Sequence, residues 1–290
     1  MAHALSLLSR LTTAGAKIES DKDSGLDVLH VDNSHALIQA AGYLKYTLAK
    51  ESKKGVFFRG QTKLYNGLAP ALLRGVKDGP PNVKRRARIA EFLANLDADK
   101  TALRAVNPNC REALLQHYGI RTTWLDVVDN VWVALWFACH QALIKGWPEE
   151  YLHFEKRTPG TRSQYAYLLL LESAFFEPVD GQPGLYRDER SETIDLRVAV
   201  PSHFLRPHAQ HGLLVRRLSK AGLPVSDYSP LIAGTIRVDL ANAIDWMGNG
   251  STLVVHSIFP PAYYDSGYLE LLKGVVPEHR DLGSIHRIQP

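Results

Sequence analysis

The sequence has little sulfur and no long uninterrupted run of hydrophobic residues. Two cysteines, Cys110 and Cys139, stand among 290 residues, too few for the disulfide framework of a secreted domain. The cysteines and histidines lack the spacing typical of metal sites, so we expect no metal. No apolar run of about 18 residues lacks charge, so we expect no membrane span. Residues 1–17 match a signal peptide poorly, and together these features favour a cytoplasmic protein.

The sequence also lacks a dominant charge of either sign and any internal repeat. Lys and Arg number 34 and Asp and Glu 30, for a net charge of +4. This balance permits nucleic-acid binding but does not indicate it. The hydrophobic content of 45% is that of a globular chain. We predict an N-terminal extension over residues 1–24 and a single domain over residues 25–290.

Strand-like and helix-like segments are mixed without regular βαβ alternation, which favours an α+β fold with a mixed or antiparallel β core and flanking helices. Strands are predicted at 26–31, 56–61, 165–171, 195–200, 231–238 and 253–258. Helices are predicted at 35–50, 83–96, 111–118, 131–145 and 262–274. Residues 126–130 are expected to form a turn, and 146–163 and 185–192 to be polar connections.

The most apolar and aromatic stretch, residues 114–140, contains many polar side chains. They are Gln116, His117, Arg121, Thr122, Thr123, Asp126, Asp129 and Asn130. A buried polar group without a hydrogen-bond partner costs roughly 1–3 kcal/mol. These residues therefore either form a satisfied structural network or line a pocket, and both can hold.

Individual residues in and around this stretch have two interpretations each. Arg59, at the exit of a buried strand, could clamp a diphosphate or carboxylate, or could tie the strand end to Asp126 or to a carbonyl. His117 could act in acid–base chemistry or simply cap its helix. Asp126 could be a structural partner of an arginine or a site residue. Gln210 could bind an amide or base edge, or bracket a loop.

Other candidates carry positive charge or an aromatic ring. Trp124 could stack on a nicotinamide or belong to the core. Arg74, Arg121 and Arg206 would add positive charge around an anion bound at Arg59. The basic residues at 84–88 could form a solvated helix face or a phosphate-facing patch.

Four local patterns resemble the FRG domain family. They are FFRGQ at 57–61, LxPxLLRG at 68–75, LLQHYGIRTTWLD…NVWVALWFAC at 114–139 and RPHAQHG at 206–212. The resemblance extends over about residues 25–285. Val127-Val128 stands where the family usually has Trp-Thr, and Leu213 or Leu214 where it often has an aromatic residue.

A second resemblance, to mono-ADP-ribosyltransferases, implies an ADP-ribosyltransferase-like fold and NAD as substrate. Arg59-Gly60 looks like that family's strand-end arginine. Thr122-Thr123, followed by ALWFA at 134–138, looks like its central strand and helix. Gln210 stands in the order of its catalytic glutamate. Glu172 and Glu192 are the other acids that could replace that glutamate.

These resemblances imply an NAD-dependent enzyme that modifies a macromolecular acceptor or hydrolyses NAD, as a toxin or phage-defence effector. Arg59, Gly60, Gln61 and Arg74 would bind NAD, while Thr122, Thr123 and Trp124 would shape the nicotinamide pocket. Arg59, His117, Asp126 and Gln210 would form the catalytic set. The alternative is a binding or sensing module for a nucleotide or nucleic acid. A third possibility is a hydrolase or nuclease that uses His117 and Asp126. An acid that converges with Arg59 and Thr122–Thr123 in a concave pocket would favour the enzyme, and basic side chains along an open groove would favour binding.

Overall fold

The computed structural model describes residues 14–22, 24–76, 78–96, 102–147, 150–160 and 164–289. Within these residues a large mixed sheet lies beside a small three-stranded sheet. The strands are β1 Ala16–Ser20, β2 Asp27–Val31, β3 Gly55–Gln61, β4 Leu125–Val128, β5 His140–Lys145, β6 Tyr151–Lys156, β7 Tyr165–Ser173, β8 Leu185–Arg187, β9 Ser191–Asp195, β10 Gly212–Arg217, β11 Ile232–Asp239 and β12 Arg287–Gln289.

The large sheet has the strand order β1-β2-β11-β7-β3-β4-β10-β9-β8. Its pairings are antiparallel except for β11 with β2, which is parallel. The small sheet has the order β12-β6-β5, with β12 parallel to β6 and β5 antiparallel to it. The predicted α+β fold with a mixed, mostly antiparallel sheet is confirmed.

Helices flank both sheets. They are α1 Ser34–Ser52, α2 Pro80–Asn95, α3 Pro108–Tyr118, α4 Val131–Cys139, α5 Leu196–Ala199, α6 Leu205–Ala209, α7 Leu240–Trp246, α8 Val255–Ile258 and α9 Ser266–Gly274. In the described part of the chain, none of them has the length and apolar character that a membrane crossing requires.

Asparagine side chains set the start of two core helices. The Asn33 side chain accepts a hydrogen bond from the Ala36 amide at the start of α1. The Asn130 side chain accepts from the Trp132 amide at the start of α4. Each cap satisfies an amide that the first turn leaves without an intrahelical partner. Asn130 therefore turns the chain from β4 directly into the buried helix α4.

The two faces of the large sheet are packed in separate hydrophobic clusters. Leu168 and Leu170 of β7 pack with α1 and α4 in one cluster, whereas Leu169 and Leu171 pack on the opposite face. This alternation follows from the two-residue side-chain period of a strand. Burial on both faces explains why β7 reads as a nearly continuous apolar run.

Gly60 of β3 permits an unusually close approach between the sheet and α4. A Cβ atom at this position would lie 1.8 Å from the Ala134 carbonyl oxygen and 2.8 Å from the Ala138 amide nitrogen. Any side chain here would therefore overlap the helix backbone. The glycine of the Phe-Arg-Gly triplet positions Arg59 at the junction of the strand and α4.

The predicted helix over 131–145 is too long. α4 ends at Cys139, and His140 adopts extended backbone geometry (φ −125°, ψ 150°). The chain continues as β5, which pairs with β6 inside the segment predicted as a polar connection. The continuous apolar sequence gives no sign of this change from helix to strand, because β5 is stabilised by pairing with residues further along the chain.

Other boundaries also differ from the sequence-based prediction. Residues 125–128 form β4, because they pair with β10, where a turn was predicted. Residues 185–187 and 191–195 form paired strands β8 and β9, where a polar loop was predicted. Two short predicted strands are instead single helical turns, α5 and α8; in α5 the Asp195 side chain caps the turn by accepting from the Arg197 amide.

Strand β1 lies before residue 25, where the domain was predicted to begin, and it pairs with β2 along its full length. The remainder of the predicted N-terminal extension, residues 1–13, lies outside the described residues. The boundary itself stays a prediction.

Candidate functional site

A cavity of about 560 Å³ lies between the large sheet and the small sheet. The large sheet contributes residues from β3 and β4, the end of α3 contributes another wall, and β5, β6 and β12 cover the opposite side. Among the lining residues are Phe58, Arg59, Gly60, Gln116, His117, Asp126, Ala142, Phe154, Arg206, Gln210, Phe259 and Ile288. A cavity of this size suits a small-molecule ligand.

The cavity lining is rich in positive charge. Four arginines contribute to it, Arg59, Arg121, Arg206 and Arg280, against two acids, Asp126 and Glu150. Aromatic rings from three different elements complete the wall: Phe58, Phe137 and Phe154. Guanidinium groups bind phosphates and carboxylates, and aromatic faces stack on planar rings. The lining therefore suits an anionic ligand that carries a ring.

Gln116 connects the loop after α3 to the carboxylate of Asp126. Gly119 ends α3 with positive φ (118°) and reverses the chain. The Gln116 Oε1 atom then accepts from the Thr122 amide at 3.1 Å and from the Thr122 hydroxyl at 3.0 Å. Its Nε2 atom donates to Asp126 Oδ2 at 2.9 Å. One amide side chain thus fixes both the loop and the orientation of the acid.

Asp126 is the acidic group that these contacts present to the cavity. Its Oδ1 atom lies 3.3 Å from His117 Nδ1, and its side chain is 37% exposed. Burial alone would raise the pKa of Asp126, but the hydrogen bonds from His117 and Gln116 and the charge of Arg59 hold it below its usual value. Asp126 is therefore ionised at neutral pH and can accept hydrogen bonds or stabilise positive charge.

His117 supports Asp126 from an enclosed position. Its side chain is 2% exposed, and the Nε2 atom is buried without a hydrogen-bond partner. A Cβ atom at Gly212 would lie 2.6 Å from His117 Cε1 and 2.9 Å from Nε2, so glycine alone leaves room for the ring. The ring therefore packs closely against Gly212 and is held beside the Asp126 carboxylate, which it orients.

Arg59 lies beside Asp126 and lines two adjoining cavities. Its Nη1 atom donates to the Asp126 carbonyl oxygen at 2.6 Å, and its Nε atom has no partner. Burial lowers the pKa of Arg59, and the charge of Asp126 partly offsets this; the guanidinium stays protonated. Arg59 and Gly60 also line an adjoining cavity of about 580 Å³ together with Gln61 and Arg74.

The comparisons with known proteins identify one family. The model of the FRG domain family matches residues 54–145. Residues 54–145 of this chain are therefore similar to the FRG domain. The match covers less than half of the chain and includes Arg59, His117 and Asp126. No curated protein and no solved structure matches the chain, so the ADP-ribosyltransferase-like label for the fold stays a prediction.

The FRG match ends before Gln210 and Arg206, which nevertheless reach the same cavity. The Gln210 side chain is buried, and its Nε2 atom donates to the Ile258 carbonyl at 3.0 Å. Gln210 thus both lines the cavity and ties α6 to α8. The two interpretations of this residue, ligand contact and loop bracket, are compatible with its position.

Three residues predicted to shape the nicotinamide pocket, Thr122, Thr123 and Trp124, are not among the cavity-lining residues. Thr122 supports Gln116, and Thr123 donates through its amide and hydroxyl to Glu112 at 2.9 and 2.8 Å. Trp124 is buried beneath the guanidinium of Arg216, 4.1 Å from its ring centroid. Their contacts hold the loop between α3 and β4.

Several of the other charged candidates have structural contacts. Glu192 is buried and bound by Arg187 and Arg216, and neither it nor Glu172 lines the cavities. On α2, Arg85 donates to the Leu72 carbonyl at 2.6 Å and Arg88 pairs with Asp281.

Sequence reasoning missed the roles of Gln116 and of the small sheet. Gln116 was visible as a polar residue in the apolar stretch, but its bond to Asp126 depends on the turn at Gly119. The sequence did not predict that β5, β6 and β12 cover the cavity, because β12 is short and pairs with β6 from the end of the chain.

Proposed function

We propose that the protein is an NAD-using enzyme that breaks the bond between nicotinamide and ribose. ADP-ribose would then pass to water or to a macromolecular acceptor. The observation that carries this proposal is the ionised carboxylate of Asp126, held by Gln116 and His117 at an arginine-lined cavity of about 560 Å³. Concave sites with a few convergent polar groups and a perturbed carboxylate are typical of small-molecule enzymes.

The proposed reaction assigns a separate task to each group. Arg59 binds the NAD diphosphate, and the aromatic lining receives a planar ring. As the C1′–N bond breaks, its electron pair leaves with nicotinamide, and positive charge develops on the ribose. The Asp126 carboxylate stabilises this oxocarbenium-like centre electrostatically. The oxygen of water or of an acceptor hydroxyl then bonds to C1′ and releases its proton to Asp126 or to solvent.

This proposal differs from the sequence-based expectation in how it uses the neighbours of Asp126. His117 and Gln116 orient the carboxylate, and Thr122 supports Gln116 through two hydrogen bonds. Gln210 contributes to the wall and donates to a backbone carbonyl. The carboxylate that the ADP-ribosyltransferase resemblance requires is assigned to Asp126.

The enclosed position of the arginines favours an enzyme over a nucleic-acid-binding module. Arg59 and Arg206 lie between two sheets, whereas nucleic-acid binders present basic side chains along an open surface. The basic helix α2 uses Arg85 and Arg88 for contacts within the protein. A cytoplasmic enzyme of this kind would act as a toxin or phage-defence effector by consuming NAD or modifying an acceptor.

The direct test is nicotinamide release from NAD by the purified protein. Asp126→Asn keeps the size of the side chain and removes its charge, so the rate should fall by about 100-fold or more. Asp245→Asn, at an exposed position on α7, is the matched control and should keep the wild-type rate. Arg59→Ala should also abolish release, chiefly through a raised KM.

Two results would contradict the proposal. Equal rates for the wild type and Asp126→Asn would remove Asp126 from the chemistry. An absence of release, together with no NAD-induced rise in melting temperature, would reject NAD as the ligand. Binding of nucleic acid would then be measured as a function of salt concentration, since phosphate contacts make that affinity strongly salt-dependent.

A further inference from the structure

Arg206 is a buried arginine at the start of α6 that lines the same cavity. The residue is 2% exposed, and its backbone amide donates to Asp265 Oδ2 at 3.1 Å. Its guanidinium lies 4.3 Å from the ring centroid of Tyr118 and 4.4 Å from that of Tyr268. Phe259 adds a third ring at 5.3 Å. Aromatic faces attract the cation but leave its N–H groups without acceptors.

Two nitrogen atoms of this guanidinium, Nε and Nη2, make no hydrogen bond to the described residues. Nη1, in contrast, donates to the His117 carbonyl at 3.2 Å. Nε and Nη2 form the edge that binds a carboxylate or phosphate with two parallel hydrogen bonds. No carboxylate among the described residues lies within ion-pair distance of Arg206.

In two other arginines of the chain, the Nε and Nη2 atoms both contact a carboxylate. Arg197 donates through Nε and Nη2 to the two oxygens of Asp195, at 2.8 and 2.7 Å. Arg216 directs the same two atoms to Glu192 Oε2. An unpaired buried charge is costly, and in proteins such groups are paired or contact a ligand. The Nε and Nη2 atoms of Arg206 therefore call for an anion that the described residues do not supply.

We propose that Arg206 forms a second anion subsite, which binds a phosphoryl group separate from the diphosphate assigned to Arg59. The identity of the ligand rests on the proposed function. Arg59 donates to the carbonyl of Asp126 and Arg206 to the carbonyl of His117, so each arginine is anchored to the backbone of a different residue of this pair. A dinucleotide with an additional phosphate away from its diphosphate meets this requirement, and NADP⁺ is the matching form of NAD⁺.

The test is isothermal titration of NADP⁺ and NAD⁺ into the full-length protein and its variants. The wild type should bind NADP⁺ about tenfold or more tightly than NAD⁺. Arg206→Met keeps the length of the side chain and removes the charge and the donors, so the two affinities should become equal. Arg206→Lys keeps the charge without the planar fork and should retain only part of the preference. Arg190→Ala, at an exposed position, should behave as the wild type.

A preference for NADP⁺ that survives in Arg206→Met would overturn the subsite, as would equal binding of the two dinucleotides by the wild type. If Arg206→Met fails to fold, as judged by circular dichroism, a full wild-type preference for NADP⁺ in Arg206→Lys overturns the subsite instead. Nicotinamide release, measured in parallel, separates this inference from the proposed reaction. Release together with unchanged NADP⁺ and NAD⁺ affinities in Arg206→Met supports the reaction alone, whereas Arg206-dependent NADP⁺ binding without any release supports the subsite alone.

Discussion

At the scale of single residues, the polar groups of the central apolar stretch divide into two roles. Thr122 and Thr123 hydrogen-bond to Gln116 and Glu112 and hold a loop. Asp126 and His117 reach the cavity, and Gln116 connects the two groups. The structural network therefore positions the pocket, so both interpretations of the sequence apply.

Substitution of Gly212 tests whether the position of the His117 ring matters for stability and activity. Gly212→Ala would place a methyl group 2.6 Å from His117 Cε1, which should push the ring away from Asp126. We expect a loss of about 1–3 kcal/mol in the free energy of unfolding and a lower rate of nicotinamide release. Urea denaturation and the NAD assay measure the two effects.

Gly42→Ala is the control for this substitution. Gly42 lies on the exposed side of α1 with open space around it, so alanine should stabilise the helix by about 0.5–1 kcal/mol. If Gly212→Ala is as stable and as active as the wild type, the ring does not depend on this glycine.

At the scale of elements, the close packing of β3 on α4 sets the position of Arg59. Gly60→Ala would bring a methyl group into the Ala134 carbonyl, and a helix backbone yields less readily than a side chain. We expect a loss of about 3 kcal/mol or more, measured by urea denaturation. Gly67→Ala, whose nearest neighbour would be 3.9 Å away, should change stability by less than about 0.5 kcal/mol. A stable Gly60→Ala protein would contradict this account of the Phe-Arg-Gly triplet.

A buried carboxylate attaches the β1–β2 pair to the rest of the large sheet. Asp21 accepts a hydrogen bond from the Tyr167 hydroxyl at 2.7 Å and from the Ser24 hydroxyl at 2.8 Å. Burial would raise the pKa of Asp21, but these bonds and the charge of Arg237 lower it below its usual value. Its contribution to stability is therefore present above the unfolded-state pKa of about 4 and is lost as pH falls through the lower folded-state pKa.

Asp21→Asn should consequently destabilise the protein at neutral pH. The difference in unfolding free energy between the wild type and this variant should shrink as pH falls from about 4 towards 3. Urea denaturation at several pH values measures it, with Asp245→Asn as the exposed control. A difference that stays constant over this range would mean that the charge of Asp21 is not responsible.

Local pattern and tertiary pairing explain which elements the sequence could predict. β3, β7 and α1 were predicted because buried strands and amphipathic helices leave a periodic signal. β5 was not, because its residues continue the apolar run of α4 and most of them are exposed. Arg59 and Asp126 could be expected to meet, since both lie in recognisable motifs. The position of the Arg206 guanidinium depends on rings from α3 and α9 and has no local signal.

At the scale of the whole molecule, the cavity is built from segments that are far apart in the chain. Its walls include Arg59 from β3, Asp126 from β4, Arg206 from α6 and Ile288 from β12. A ligand that contacts all of these segments should therefore stabilise the folded state as a whole, by about 2.7 kcal/mol at a concentration of 100 times Kd.

The most direct measurement of the central claim is the NAD-induced shift in melting temperature with the cavity open or blocked. Ala142 lines the cavity from β5 at an exposed position, so Ala142→Trp should fill it without disturbing the core. Lys145→Trp, on the same strand and outside the lining residues, is the matched control. The account predicts that NAD raises the melting temperature of the wild type and Lys145→Trp but leaves that of Ala142→Trp unchanged. An equal shift in all three proteins would place the NAD site elsewhere and contradict the account.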